Sequence, residues 1–324
     1  MLAWGEFCRG KRKAKDVQKF ERNLADNLLA LHEELKNKTY RHGGYYQFKI
    51  NDPKPRVIHK ASVKDRLVHH AIYRKLYPFF DRKFIFDSYS CRNKKGTHKA
   101  MNRFRHFAHR LSRNNTRTVW VLKGDIRKFF DNIDHEILLN LLCYSIVDKD
   151  ILCLLENVIS SFSTAYHSSC DSRIYDIGLP LGNLTSQLLV NIYMNEFDQF
   201  VKDKLKIEYY IRYADDFVIL YQSKVELEQL IPKITEFLRE HLRLKLHPEK
   251  TFIQTFASGV DFLGWVHFSG HRVLRSAAKR RILRTIRLKP EPAVIESYRG
   301  LLRHGNAVMV LRQLENAYWL NQLP

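Results

Sequence analysis

Tyr209-Tyr210-Ile211-Arg212-Tyr213-Ala214-Asp215-Asp216-Phe217-Val218-Ile219-Leu220-Tyr221 decides how this chain folds. β-branched and aromatic residues on both sides of Ala214-Asp215 predict two strands joined by a tight turn. Side chains alternate along a strand, so two adjacent carboxylates converge only where a turn re-aims them. A divalent cation is the usual reason for such convergence, and magnesium suits it because it takes carboxylates together with substrate phosphates. A lone Asp-Asp pair would be an ordinary polar hairpin tip. A third carboxylate, Asp125, changes the balance, because it closes an upstream run of the same character, Val119-Trp120-Val121-Leu122-Lys123-Gly124-Asp125.

Asp125 with Phe130 five residues on, followed by the Tyr213-Ala214-Asp215-Asp216 hairpin, resembles motifs A and C of a reverse transcriptase palm. Between them Gly178-Leu179-Pro180-Leu181-Gly182-Asn183-Leu184-Thr185-Ser186-Gln187 resembles motif B. Pro55 to Ile58 and Lys64 to Val68 resemble the first fingers motif of group-II-intron-like enzymes, and Ser88 to Thr97 their second. Leu244 to Thr251 resembles motif D, and Asp261-Phe262-Leu263-Gly264-Trp265 the primer-grip hairpin, motif E. Within this superfamily, an apolar Leu181 before Gly182 and Gln187 after Ser186 are similar to motif B of diversity-generating retroelement reverse transcriptases. Ala214, where many relatives carry Met, is a departure. The resemblance implies an α+β right-hand polymerase with fingers, a ferredoxin-like palm and a helical thumb.

It also implies a chemistry and a set of roles. Asp125, Asp215 and Asp216 would be the catalytic carboxylates, and with the Ile126 carbonyl they would hold two Mg2+ ions for nucleotidyl transfer. Phe130 stands at the steric gate against ribonucleotides. Arg92, Arg56 and Arg66 compete for the dNTP triphosphate, because a guanidinium fork matches phosphate oxygens. Leu181, Gly182 and Gln187 would border the nascent base pair, and Lys250 is placed to protonate pyrophosphate. Tyr213, Phe262, Leu263, Gly264, Arg275, Lys279, Arg280, Arg281 and Arg284 are the expected nucleic-acid contacts. Asp131, Asp134 and Phe129 read as structural. The implied partners are a template-repeat RNA, the RNA/cDNA duplex and a small basic accessory variability protein that forms an oligomer. Error-prone copying at template adenines is part of the same implication. A group-II-intron-derived or defence-associated enzyme, a catalytically dead RNA-binding scaffold and a two-metal nuclease remain alternatives.

Composition agrees with a polyanionic partner. Lys and Arg number 55 against 34 Asp and Glu, a net charge of +21. Basic residues cluster at Arg9 to Lys15, Arg103 to Arg117 and Arg275 to Lys289. One such run is usually a solvated face; three of one sign are better explained by phosphate contacts. No apolar run is long enough for a membrane span and the start lacks a signal core, which points to a soluble, cytoplasmic protein, and the resemblance implies a bacterial or phage-encoded one. Five cysteines without C-x-x-C pairing predict neither zinc nor disulfides. Cys143 and Cys153 fall in apolar helical runs and are expected in the core. His69-His70 reads as packing or RNA contact rather than ligation.

Helical periodicity predicts helices over 20–36, 63–77 (ending before Pro78), 135–162, 186–206 and 224–241. Thumb helices are expected over 276–288 and 294–320. The order of motifs suits a ferredoxin-like palm. The chain divides by this reading into a basic helical extension (1–40), fingers and palm (41–270) and a basic helical thumb (271–324).

Overall fold

A computed structural model of the chain describes residues 1–51, 55–164, 166–167, 174–288 and 291–320. The N-terminal region holds helices α1 (Leu2–Phe7), α2 (Lys15–Arg22) and α3 (Leu24–Lys36). A hairpin of β1 (Tyr45–Ile50) and β2 (Arg56–Ala61) follows, then α4 (Val63–Asp81) and α5 (Thr97–Leu111). Strand β3 (Trp120–Asp125) leads into α6 (His135–Ser145) and α7 (Lys149–Ser160). The short pair β4 (Tyr166–His167) and β5 (Ile174–Tyr175) precedes α8 (Leu184–Gln199). Next come β6 (Tyr210–Tyr213), β7 (Asp216–Tyr221), α9 (Lys224–Leu242) and β8 (Phe252–Thr255). The last elements are β9 (Val260–Phe262), β10 (Trp265–His267), β11 (Arg272–Leu274), α10 (Ser276–Leu288), α11 (Pro292–Leu302) and α12 (Val308–Leu320).

These elements form two compact units. The first comprises 1–86, 126–206 and 234–246; the second comprises 87–125, 207–233 and 247–324. In the second, four strands pair antiparallel in the order β6-β7-β3-β8. Strands β3 and β6, consecutive in chain order among the strands of this sheet, are therefore parallel with β7 between them, the split arrangement of a ferredoxin-like palm. Helix α5 covers one face of this sheet. Its Phe104 and Phe107 join Val119, Val121, Ile211, Val218 and Leu220 in one buried cluster. Phe217 to Leu220 of β7 are all fully buried. Burial on both faces is why that strand reads as a continuous apolar run rather than an alternation.

Gly124 is required by this packing. A Cβ there would lie 2.2 Å from the Phe217 ring, which the register sets directly opposite. A second cluster joins Met101 of α5 and Trp265 of β10 to Ile282, Ile286, Ile295, Leu302 and Leu314 of the three C-terminal helices. Gly305 lets Trp265 approach, since a Cβ would meet its ring at 2.0 Å.

Several expected boundaries move. The first helix splits at Asn23, and the last splits between Leu302 and Val308. Pro78 does not end α4, which runs on to Asp81. In the final turn a missing N–H removes a single helical bond, which the remaining packing of Tyr77 and Phe80 offsets. Helix α8 closes with a π-helical turn over Phe200–Lys204. Cys143 and Cys153 are exposed, contrary to expectation. Helix α6 buries Leu138 and Leu142, and α7 buries Leu155, Val158 and Ile159, so each cysteine falls off its helix's buried seam. Cys170, Lys289 and Pro290 lie outside the described residues. Among the described residues, no helix is long and apolar enough to cross a membrane.

Candidate active site

The three carboxylates meet where strands of the second unit's sheet end. Asp125 closes β3 and pairs in register with Asp216, the first residue of β7. Asp216 also pairs with Tyr213, the last residue of β6, so Ala214-Asp215 forms the connecting turn. Ala214 has φ of 55°, a left-handed conformation that costs a residue with a Cβ about 1 kcal/mol. Strain of this kind persists only where its surroundings hold it in place.

The holder is Arg212, a residue that motif reading passed over. Its side chain is fully buried. The guanidinium donates from Nη1 to the Ala214 carbonyl (3.0 Å) and from Nη2 to Ser88 Oγ (3.1 Å). Its backbone N–H donates to the Asp87 carbonyl, and its own carbonyl accepts from Tyr89 N–H, each at 3.0 Å. Asp87 in turn binds Arg103. The carboxylate turn is thus braced through Ser88 and Asp87. The sequence did carry a signal: a cation inside the apolar run Tyr-Ile-Arg-Tyr must be paired if the strand is buried.

Acid crowding shapes the electrostatics. Asp216 is pushed up to about 6, chiefly by burial, with Asp215 and Asp125 adding repulsion against the opposing charge of Lys123. Lys123 is itself buried and donates to the Asp261 carbonyl at 2.8 Å. Lys250 Nζ lies 2.9 Å from Asp125 Oδ1, so this lysine reaches the carboxylate cluster. Among the described residues, no three or more His, Cys, Asp or Glu side chains are arranged to hold a metal ion. Magnesium seldom needs such a cage, because one or two carboxylates and substrate phosphates complete its shell. Mutually repelling carboxylates, Asp125 buried and Asp215 and Asp216 half-buried, with an ammonium on one of them, fit a site that a divalent cation would complete.

In the first unit, the segment after β3 packs on motif B. Phe129 is buried, whereas Phe130 is partly exposed and its carbonyl accepts from Leu179 N–H at 2.8 Å. Gly178 N–H donates to the Ile133 carbonyl (2.7 Å), and its carbonyl contacts His135 Nε2 (2.7 Å). Asp134 caps α6 through Ile137 N–H and pairs with Arg243, a structural role. The Leu181 carbonyl accepts from His59 N–H of β2 at 2.9 Å, and Gly182 has φ of 114°. A side chain at 182 would both strain the backbone and meet Ile58 at 2.9 Å. Gln187 lies one turn into α8 and is half-buried.

The arginines expected at a triphosphate differ in their surroundings. Arg66 is ion-paired with Asp16 and lies over the Phe7 ring. Arg92 donates to the Ser88 carbonyl at 3.1 Å, next to the brace of the carboxylate turn. Arg56 is exposed at the start of β2. At motif E, Phe262 is fully buried against Phe104, with ring centroids 5.3 Å apart, so its side chain packs the core and does not face a nucleic acid. Leu263 and Gly264 form the tip, both at positive φ. Tyr213 is hydrogen-bonded to Thr97 Oγ1 at 3.0 Å. Arg275 is ion-paired with Asp261. On α10, Ile282 and Ile286 face the core, Arg280 and Arg284 are exposed, and Lys279 and Arg281 are half-exposed.

Comparison with known proteins places this geometry. The family described as reverse transcriptase (RNA-dependent DNA polymerase) matches residues 48–267. Protein YkfC of Escherichia coli is 26% identical over 309 residues, covering 83% of this chain and 76% of that one. The group II intron-encoded protein LtrA of Lactococcus lactis is 25% identical over 301 residues, 73% of this chain, which spans 47% of LtrA. Telomerase of Candida albicans, solved with a fragment of telomeric RNA, superposes with a TM-score of 0.54 at 14% identity, covering 87% of this chain and 55% of that one. The corresponding Candida tropicalis complex gives 0.52 at 12% identity, covering 90% and 56%. These two likenesses show the right-hand polymerase fold. With the family match spanning motifs A to E, the chain belongs to the reverse transcriptase family of RNA-dependent DNA polymerases.

Proposed function

We propose that this enzyme copies a template-repeat RNA into cDNA for a diversity-generating retroelement. The reading of its chemistry rests on Asp125, Asp215 and Asp216 gathered at adjoining strand ends. Asp125, Asp215, Asp216 and the Ile126 carbonyl would hold the two magnesium ions. Bound there, magnesium would supply charge neutralisation at the triphosphate and a more acidic primer hydroxyl. The protein's own task is positioning. Arg212 fixes the carboxylate turn. Lys250, drawn to Asp125, is placed to give a proton to pyrophosphate. Phe130 closes the space beneath a deoxyribose C2′, and Arg92, Arg56 and Arg66 are the candidates for the triphosphate of the dNTP. Leu263, Gly264, Lys279, Arg280, Arg281 and Arg284 would follow the RNA/cDNA duplex, within a functional division of 1–40, 41–270 and 271–324.

The retroelement assignment rests on one observation, the wording Leu181-Gly182-Asn183-Leu184-Thr185-Ser186-Gln187. An apolar residue before the glycine removes an amide from a site that checks base-pair geometry. The test is sequencing of cDNA made on a defined RNA, with a small basic accessory protein present. Expected is frequent misincorporation opposite template adenine, reduced about tenfold in Leu181→Gln because a restored amide penalises a misplaced pair. Faithful copying of adenine by the parent would overturn the assignment. It would favour the second reading, a group-II-intron-type enzyme, which the alignment with LtrA over 73% of this chain supports.

A further inference from the structure

The first unit contains a cavity of about 230 Å3 lined by Lys11, Arg66, His69, His70, Asn183 and Gln187. At ~30 Å3 per water it has room for several solvent molecules or one small polar group. Its wall carries three buried polar atoms without partners among the described residues: Asn183 Nδ2 and Oδ1, and His69 Nδ1. Both side chains are almost fully buried, Asn183 at 2% exposure and His69 at 1%. Buried polar atoms are nearly always paired, so three orphans on one cavity point to a ligand.

The donors and acceptors define that ligand. Asn183 caps α8, a helix of 16 residues, yet its side chain makes no capping bond and the first turn holds no acid. The amide ends of the helix and its positive pole therefore favour an anion. Lys11 and Arg66 add two cations, with Asp16 holding Arg66 in place. His69 sets a different requirement. His42 Nδ1 lies 2.6 Å from the Gly43 carbonyl, which can only accept, so that nitrogen carries the proton. His42 Nε2 then faces His69 Nε2 across 3.0 Å as the acceptor of the bond that His69 Nε2 donates. Burial pushes His69 down to about 3, which keeps it neutral, and its Nδ1 is left as a lone pair. That atom, like Asn183 Oδ1, needs a hydrogen-bond donor. A phosphodiester of a nucleic-acid strand has no proton to give; a sugar hydroxyl does.

We infer that this cavity binds a ribose–phosphate unit of an RNA strand, the phosphate meeting Lys11, Arg66 and the start of α8, and a ribose hydroxyl donating to His69 Nδ1 and Asn183 Oδ1. The site would let the enzyme distinguish RNA from DNA. It rests on the reading of this chain as an RNA-copying enzyme, and gives Arg66 a role other than the triphosphate.

The test is equilibrium binding of a single-stranded RNA and the DNA of the same sequence, in chelator and without dNTP. Its failure leaves the polymerase reading untouched, since no chemistry is measured. The parent should prefer RNA, and Asn183→Leu, which replaces the orphaned amide with a group of similar size, should lower the RNA:DNA affinity ratio about fivefold. Lys11→Gln should reduce the salt slope of RNA binding by about one unit. If Asn183→Leu does not fold, Asn183→Asp, which adds a charge repelling phosphate, is read in its place with Lys11→Gln. An unchanged ratio and an unchanged slope in folded variants overturn the proposal. Adenosine 5′-monophosphate distinguishes the source. If it raises the melting temperature of the parent but not of Asn183→Leu while the RNA:DNA ratio stays the same, the cavity takes free nucleotides and the strand assignment falls.

Discussion

Two hairpins of the second unit turn in similar ways and do opposite things. Ala214-Asp215 joins β6 to β7, and Leu263-Gly264 joins β9 to β10. Each places a non-glycine residue at left-handed φ, 55° for Ala214 and 52° for Leu263. The second follows it with Gly264 at φ 86°, the pairing that a type I′ hairpin favours, and rests on the buried Phe262 and Trp265. The first has no glycine in its turn, crowds Asp125, Asp215 and Asp216 together, and is tied down by the buried Arg212. Both turns carry a left-handed residue, but the crowded carboxylates and the buried arginine that braces them belong to the first, where the chemistry is expected. The difference teaches that the first turn is maintained by its polar brace and the second by apolar packing.

The largest expected effect comes from removing the charges. Asp215→Asn with Asp216→Asn should abolish cDNA synthesis in a primer-extension assay while RNA binding persists, because the basic contacts remain. Leu263→Asn at the other tip should leave synthesis measurable. Comparable losses at both hairpins would erase the distinction between them.

Arg212→Met tests the brace. The side chain keeps its length but loses the bonds to Ala214 and Ser88, and a displacement of about 1 Å at reacting groups costs ~100-fold in kcat. Arg212→Lys, with one of the two bonds restored, should recover part of that rate. Full activity in Arg212→Met would show that packing alone holds the turn.

Stability should move the other way. Asp216 has its carboxyl raised to about 6, so ionising it in the folded state costs free energy. A group bound to its proton more tightly when folded makes stability fall as pH rises from the unfolded value near 3.8 through about 6, and the full cost is present above that window. In chelator at pH 7.5, Asp216→Asn should therefore be more stable than the parent by on the order of 1–2 kcal/mol, and the gain should vanish toward pH 4. Denaturant melts at both pH values measure it. A variant that is destabilised at pH 7.5 would mean the carboxylate is satisfied in the fold.

The smallest effect separates backbone strain from charge. Ala214→Gly and Leu263→Gly each relieve a left-handed residue, and glycine's entropy offsets part of the gain, leaving about 0.5–1 kcal/mol. Ala214→Gly should show that gain in full. Leu263→Gly should show less, since Leu263 packs against both core clusters. Equal gains would mean that the Leu263 side chain contributes nothing to its hairpin.

The sequence by itself determined the strands, the turn and the order of motifs. Short-range chemistry decides those: β-branched runs around Ala214-Asp215, a glycine before Asp125, helical spacing in α9 and α10. The thumb helix over 276–288 was legible to the residue because Ile282 and Ile286 alternate with arginines at helical period. Tertiary structure decided what pairing and burial impose. Only the β3–β7 register sets Asp125 against Asp216 and Gly124 under Phe217. Phe262 sits in a motif expected to contact nucleic acid yet packs on Phe104, and Cys143 and Cys153 lie in apolar helical runs yet face solvent. Composition marks a residue as apolar, but which side of its element meets another element is set by contacts between residues far apart in sequence. Arg212 carries the same lesson. Its charge was visible in the chain, and its partners, Ser88 and the Ala214 carbonyl, exist as a brace only once strand and loop lie side by side.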